Sequence, residues 1–156
     1  MPEAAAILLR DAETLRRVFM QLHGEAEEIL QEEANLNEIV RLVGADSLAP
    51  TEQLTLATAK MIREDFLQQN AFVDEDAYSS YAKQFRLLDM VLRYDALCRE
   101  ALDRGADMNG LFAIDAREKI GRAKMADAAT FGADYDAIID EMTKEVEAVI
   151  AGGEDE

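Results

Sequence analysis

The sequence predicts an all-α fold, a helical bundle of about five to six helices with a helix-turn-helix finger at residues 25–69. Apolar residues recur at three- and four-residue steps through most of the 156 residues, which is the period of an amphipathic helix. No stretch shows the two-residue alternation that is typical of a half-buried strand. Only two prolines occur, so few residues would break a long helix.

The first helical segment extends from about Pro2 to Val43. Its apolar positions form one run before Gly24 and a second run after it, which comprises Ile29, Leu36, Ile39, Val40 and Val43. Glycine inside a helix costs about 1 kcal/mol relative to alanine. Two stacked helices and one long kinked helix therefore fit this segment equally well.

The turn of the finger is predicted at residues 44–50, GADSLAP. Gly44 is expected to end the first helix, because glycine readily adopts a left-handed conformation there. Pro50 suits the first position of the next helix, and Glu52 lies in the first turn, where the helix dipole favours an acid. That helix continues to about Gln69, with these residues on its inner side: Leu54, Ala57, Met61, Ile62, Phe66 and Leu67.

The rest of the chain also follows a helical pattern. Residues 68–80 are predicted to form an ordered connection, and further helices are expected at about Ser80–Arg104, Leu111–Lys124 and Tyr135–Ile150. Gly105 ends the first of these, and Asp107–Gly110 is predicted to form a turn. The acidic tail at residues 152–156 is predicted to be disordered.

A formal charge of −17 disfavours binding to nucleic acid or to an anionic membrane surface. A basic partner, simple solubility and adaptation to a salty cytoplasm all remain compatible with this charge. No apolar run approaches the ~20 residues that span a bilayer, and the start of the chain lacks the order of a signal peptide. We therefore expect a cytoplasmic protein or fragment without direct membrane insertion.

The sequence lacks the groups that nucleotide hydrolysis needs. It contains no GxxxxGK[ST] loop to hold phosphates, and the single histidine, His23, cannot form a metal cluster. The single cysteine, Cys98, is predicted to be a small buried apolar residue. Adjacent carboxylates such as Glu27 and Glu28 point to different sides of a helix and indicate a solvated face. No catalytic residue, metal site or cofactor is assigned to this chain alone.

The most informative motifs of the sequence lie within residues Leu30–Phe72 and read NEIVRLVGADSL and LTLATAKMIREDFLQQNAF. This block resembles the C-terminal helical domain of the catalytic A (alpha) subunit of V-type and archaeal A-type ATP synthases. The similarity continues less sharply through YSSYAKQFRLLDMVLRYDALCREAL. The resemblance implies residues 24–151 as this domain, preceded by an N-terminal helix of uncertain origin at 1–23.

The same block is more distantly similar to the β subunit of F-type ATP synthases, whose corresponding loop carries the DELSEED motif. The resemblance implies a finger tip that contacts the central rotor shaft through Asp46, Ser47, Leu48, Ala49, Pro50, Thr51 and Glu52. Two of these seven residues are acidic, against five in the motif. Shape and stiffness at the tip are therefore an alternative to acidity as the means of transmitting torque.

The resemblance also implies that Phe72 lies near the adenine of a nucleotide bound in the complete subunit, where ATP or ADP and Mg²⁺ are held by an upstream domain. An aromatic face packs well against adenine. The sequence has Val73 where many family members have histidine, and Ser79 follows Tyr78 where they have cysteine. Phe72 and Tyr78 fit an alternative role as core residues that anchor their loop.

The implied function is to couple ATP hydrolysis or synthesis upstream to rotation of the shaft and to ion transport. The implied partners are the central shaft and the B subunit, in a soluble head peripheral to the membrane. Two other hypotheses remain, a stand-alone acidic helical module that binds a partner protein and an enzyme that uses a carboxylate cluster.

Overall fold

The computed structural model describes residues 12–67, 78–123 and 128–154, and it confirms the all-α prediction. Within these residues the chain forms no strand and six α-helices, which are α1 Ala12–Val43, α2 Pro50–Met61, α3 Tyr78–Asp103, α4 Met108–Phe112, α5 Asp115–Ala123 and α6 Ala128–Glu154. A 3-10 turn at Ala45–Ser47 joins α1 to α2, and α2 continues directly into a π-helix at Ile62–Leu67.

Helix α1 is one continuous helix of 32 residues, about 48 Å long at 1.5 Å per residue. Gly24 lies inside it, as does the predicted domain boundary between residues 23 and 24. Residues 12–43 therefore form one long helix and not two stacked helices, and residues 2–11 of the predicted segment lie outside the described part. Glu33 of α1 accepts a hydrogen bond from Arg63 of the π-helix. Residues 30 positions apart can meet in this way because the two sides of the finger are antiparallel.

Helix α3 lies at the centre of the bundle and contacts α1, α2, α5 and α6. Its residues Phe85, Leu88 and Val91 are buried, as are Leu54, Met61 and Ile62, which were predicted on the inner side of the second helix of the finger. The Tyr94 hydroxyl donates to the carbonyl of Leu111 over 2.9 Å, so the buried phenol keeps a partner. The core continues onto α6 through Tyr135, Ile138, Met142, Val146 and Ile150.

The segment after α3 differs from the prediction. Gly105 ends α3 with a positive φ of 89°, as expected, but Asp107–Gly110 is not a separate turn. Asp107 instead caps the short helix α4 by accepting from the Gly110 amide. A break then precedes α5, where the Asp115 amide donates to Glu145 of α6 over 2.6 Å. This long-range cap stabilises a helix start that local sequence does not reveal.

Helix α6 begins at Ala128 and extends to Glu154, beyond both predicted ends. The alanines near its start have the highest helix propensity. Residues 152–154 of the tail predicted to be disordered are helical, and residues 155 and 156 lie outside the described part. None of the described helices is both long enough and apolar enough to cross a bilayer.

Candidate functional site at the tip of the finger

The turn at the tip is closed by a dense set of hydrogen bonds. Gly44 has a φ of 93° and its amide donates to the carbonyl of Val40 over 2.8 Å. The Ser47 hydroxyl donates back to the Gly44 carbonyl over 2.7 Å, and the Leu48 amide donates to the Ala45 carbonyl over 3.1 Å. A positive φ is cheap only for glycine, so the end of α1 that was predicted at Gly44 is confirmed.

The second side of the turn is the start of α2. Pro50 occupies the first helical turn, and Glu52 Oε1 accepts from the Ala49 amide over 2.9 Å. Gln53 Nε2 donates to the carbonyl of Leu48 over 3.1 Å. These contacts satisfy backbone groups that a helix start otherwise leaves to water. The tip therefore has little freedom to bend when a force is applied to it.

The seven residues predicted to contact a rotor differ in what they can present. Asp46, Ser47, Ala49, Pro50 and Thr51 are exposed. Leu48 is only 5% exposed and anchors the turn to the finger. Glu52 is half-buried and its carboxylate holds the turn. Of the two acids at these positions, only Asp46 therefore has an exposed side chain.

The end of α1 beside the tip carries exposed apolar residues. Ile39 and Val43 belong to the apolar run after Gly24, and they are 41% and 66% exposed. Leu42 is 76% exposed. The helical period continues from buried Leu36 to the end of α1, where Val40 is half-buried and Ile39, Leu42 and Val43 are exposed. Periodicity identifies an apolar face without showing how far it is covered.

A buried polar network joins the finger to the centre of the bundle. Thr58, which is 0% exposed, donates to Asp95 Oδ1 of α3 over 2.6 Å. Arg99 donates to both carboxylate oxygens of Asp95, over 2.8 and 3.2 Å, and to the Thr55 hydroxyl over 2.8 Å. Hydrogen bonds to a charged acceptor are stronger than neutral ones. The network therefore fixes the register of α2 against α3.

The ion pair between Glu33 and Arg63 holds the two sides of the finger together. Glu33 is largely buried, whereas about half of the Arg63 side chain is exposed. The hydrogen bond to Glu33 is the main reason that the pKa of Arg63 is raised. A buried carboxylate needs such a partner, because an unpaired charge in the interior is costly.

The other residues considered in the sequence have simple structural roles or lie outside the described part. Cys98 is buried, as predicted, and burial raises the pKa of its thiol to about 11. His23 lies on α1 with Nδ1 3.4 Å from Glu27 Oε1. Phe72 and the side chain of Tyr78 are outside the described residues. The π-helix leads directly into the segment that contains Phe72, and such helices are frequent at functional sites.

Comparison with known proteins gives a consistent set of similarities. A family model for the C-terminal domain of V and A type ATP synthase matches residues 10–110. The V-type ATP synthase alpha chain of Acetivibrio thermocellus is 46% identical over 142 residues, which cover 91% of this chain and 23% of that protein. The V-type ATP synthase alpha chain 1 of Clostridium tetani is 42% identical over 141 residues, 90% of this chain and 24% of that protein.

The similarity extends to an archaeal relative. The A subunit of the A-type ATP synthase of Methanosphaera stadtmanae is 44% identical over 124 residues, 80% of this chain and 21% of that protein. The chain thus spans about a quarter of the length of the curated relatives it matches. The family match begins at residue 10, which is well before the motifs in residues 30–72 on which the resemblance is based.

Proposed function

Because this chain belongs to the family of the C-terminal domain of V- and A-type ATP synthases, we propose that it is the helical lever of a catalytic A subunit. In this role it couples ATP hydrolysis or synthesis elsewhere in the subunit to rotation of a central shaft and to ion transport. The observation that supports the proposal is that hydrogen bonds fix the finger both at its tip and at its base. The turn is closed by hydrogen bonds on each side of Leu48, and α2 is fixed to α3 through Asp95.

A finger of this kind transmits force as a rigid body. A push on the tip meets few soft backbone torsions, since Gly44, Ser47 and Glu52 all have their turn-closing groups engaged. The displacement therefore passes along α1 and α2 into α3. Movement of a packed helical unit about a hinge is a common form of conformational change in proteins.

The coupling is reciprocal. If nucleotide binding upstream favours an inward position of this domain, then an inward position favours nucleotide binding by the same free energy. ATP binding draws the lever inward and displaces the shaft. Shaft rotation in the reverse direction opens and closes the nucleotide site and drives synthesis.

ATP or ADP and Mg²⁺ bind in the complete subunit, to residues that precede this chain. The one residue of this chain that we assign near the nucleotide is Phe72, beside the adenine. The sequence contains no P-loop, whose backbone amides bind the phosphates of a nucleotide. This supports a phosphate-binding site upstream of this domain.

We place the domain in the peripheral head of the ATPase on the cytoplasmic side, in contact with the central shaft and the B subunit. Its similarity to the alpha chains and A subunits of ATP synthases supports assembly with other ATPase subunits. The proposed shaft contacts are the exposed residues of the turn, from Asp46 to Thr51, while Leu48 and Glu52 hold the turn in shape.

The test is to replace Asp46, Ser47 and Leu48 together by glycine in the complete subunit within the assembled ATPase. The change removes the Ser47 hydrogen bond and the buried Leu48 anchor. We expect ATP hydrolysis to continue while ion pumping per ATP falls severalfold, because a flexible tip yields under load. Hydrolysis and ion uptake are measured on the same vesicles.

Asp46→Asn is the matched control, because it removes the exposed charge and leaves the turn contacts intact. The control should pump like the wild-type enzyme. Unchanged pumping per ATP in the triple-glycine enzyme, with the complex shown to be intact by gel filtration, would overturn the proposed lever function.

A further inference from the structure

Helix α3 has charged residues on two faces. On the face towards α2, Arg99 donates to Asp95. On the face towards α6, Arg93 donates to Asp89 Oδ2 over 2.7 Å. Arg86 lies on this second face, about two turns before Arg93. Among the described residues Arg86 has no ion pair, and its Nε atom is buried without a hydrogen-bond partner.

The side chain of Arg86 is packed against α6. Its Cζ atom lies 5.6 Å from the centroid of the Tyr135 ring, and the Tyr135 hydroxyl donates to Asp89. Asp89 Oδ2 therefore already accepts from both Arg93 and Tyr135. An aromatic ring attracts a cation that lies over it, but it leaves the N–H donors of the guanidinium without acceptors. Because Arg86 is half-buried, an anionic partner would stabilise it.

The lack of a carboxylate beside Arg86 is unusual for this chain. Acids outnumber lysines and arginines by 33 to 16. The other half-buried arginines of α3, Arg93 and Arg99, each pair with an aspartate four residues before them. Because Asp89 compensates the charge of Arg93, one positive charge is left uncompensated at Arg86.

The site fits a carboxylate better than a free phosphate. One uncompensated positive charge matches a monoanion, and a chain of formal charge −17 repels free multivalent anions. A guanidinium binds a carboxylate in its own plane through two parallel hydrogen bonds. Since Nε of Arg86 is covered, these two bonds come from the terminal nitrogens, and the contact with the Tyr135 ring holds the guanidinium in place.

Arg86 lies towards the end of the bundle that is remote from the finger tip. Helix α2 is antiparallel to α3, because Thr58 contacts Asp95 and Thr55 contacts Arg99. The tip therefore lies beside the C-terminal end of α3, whereas Arg86 lies nine residues before Asp95, about 13 Å towards the other end. Helix α1 begins at this same end, since the two sides of the finger are antiparallel.

The longer relatives indicate what lies next to this end in a complete subunit. This chain spans about a quarter of their length, and the matched family is a C-terminal domain. Additional sequence of the kind found in these relatives therefore enters the fold at the start of α1. That sequence approaches the bundle from the end at which the uncompensated charge of Arg86 lies.

We infer that Arg86 is a docking site for an aspartate or glutamate side chain of the nucleotide-binding domain that precedes α1 in the complete subunit. This inference rests on the proposed function and names a contact that joins the lever to that domain. The terminal nitrogens of Arg86 bind the carboxylate. Tyr135 supports the guanidinium, and Asp89 holds Tyr135.

The first experiment compares thermal unfolding of Arg86→Gln in this 156-residue chain and in the complete subunit. We expect little change in the Tm of the chain, where the charge has no partner, and a lower Tm for the complete subunit, where a buried ion pair is broken. Arg122→Gln is the matched control, because Arg122 is 71% exposed and pairs with Glu118 on its own helix. The control should leave both Tm values unchanged.

The second experiment identifies the partner. A water-soluble carbodiimide condenses a lysine amine with a carboxylate in direct contact, with loss of water. Treatment of the complete subunit that carries Arg86→Lys should join position 86 to an aspartate or glutamate that precedes α1, as determined by mass spectrometry of the peptides. Arg122→Lys is the control and should join position 122 to Glu118.

Three results would overturn the inference. The first is an equal change of Tm in the chain and in the complete subunit, which would mean that Arg86 acts only within this domain. The second is a crosslink from position 86 to an acid of this chain, such as Asp89 or Asp74, or to a different subunit. The third is the absence of any crosslink at position 86 while the control forms its own.

The triple-glycine tip variant separates this inference from the function on which it rests. If position 86 forms the expected crosslink but the triple-glycine enzyme pumps normally, the docking contact stands and the lever function is wrong. If the triple-glycine enzyme is uncoupled but position 86 forms no crosslink, the lever function stands and the docking contact is wrong.

Discussion

The hydrogen bond between Thr58 and Asp95 gives the sharpest test of how the finger is fixed to the bundle. Thr58→Val replaces the hydroxyl by a methyl group of similar size, so the packing around this fully buried position is kept. The helix propensities of threonine and valine are also close. The change therefore removes one interaction, the 2.6 Å hydrogen bond to Asp95 Oδ1.

The expected cost follows from the charge and burial of the partner. A hydrogen bond to a charged group contributes about 1.5 to 3 kcal/mol. Asp95 keeps Arg99, whose Nε lies 2.8 Å from the other carboxylate oxygen, so its charge stays partly compensated. We therefore expect a loss of about 2 kcal/mol, or about 4 to 8 °C in Tm for a chain of this size.

The assay is urea unfolding followed by circular dichroism, with the midpoint and the slope fitted separately. Thr143→Val is the matched control, because the Thr143 hydroxyl donates to the Ile139 carbonyl over 2.9 Å at an exposed site on α6. The control should change stability by no more than about 0.5 kcal/mol. Equal effects of the two substitutions would refute the reasoning, since burial and the charged acceptor are the only differences invoked.

Two further predictions concern the glycines of α1 and the buried thiol. A Cβ at Gly24 or at Gly44 meets no atom within 4 Å, so alanine causes no steric clash at either position. Gly24→Ala should therefore stabilise the protein by about 0.5 to 1 kcal/mol. Gly44→Ala should destabilise the protein by about 1 to 2 kcal/mol, because Gly44 has a φ of 93°. Thermal unfolding measures both, and shifts of the same sign would contradict the backbone argument. Burial raises the pKa of Cys98 from 9.0 to about 11. The neutral thiol therefore contributes roughly 2 to 3 kcal/mol to the free energy of unfolding below pH 9, and this contribution is lost as the pH rises towards 11. Urea unfolding between pH 8 and 11 should show this loss in wild type but not in Cys98→Ala, and parallel pH profiles would exclude it.

The helix ends that the sequence predicts well are those set by a single local residue. Gly44 and Gly105 have positive φ, and Pro50 begins α2, because glycine and proline constrain the backbone wherever they occur. The break before α5 could not be predicted in this way. It depends on Glu145, which caps the Asp115 amide from 30 residues away.

The candidate site shows the same division between local and distant causes. The turn at residues 44–50 and its short-range hydrogen bonds follow from residues that are neighbours in the chain. The contact between Thr58 and Asp95 spans 37 positions, and no local pattern pairs a helical threonine with a given carboxylate. The exposure of Ile39 and Val43 also does not follow from the apolar run, because coverage of a helix depends on where its neighbours end.

The types of contact along the finger match what a lever requires at each place. Directional hydrogen bonds occur at its base, where Arg99 contacts both Asp95 and Thr55. Sliding α2 past α3 would break these bonds in a buried site, where lost hydrogen bonds are costly. At the other end the turn is closed by short-range hydrogen bonds, among them the 2.7 Å bond from the Ser47 hydroxyl to the Gly44 carbonyl. In the proposed role, the finger therefore resists displacement where it joins the bundle and keeps its shape where it meets the shaft.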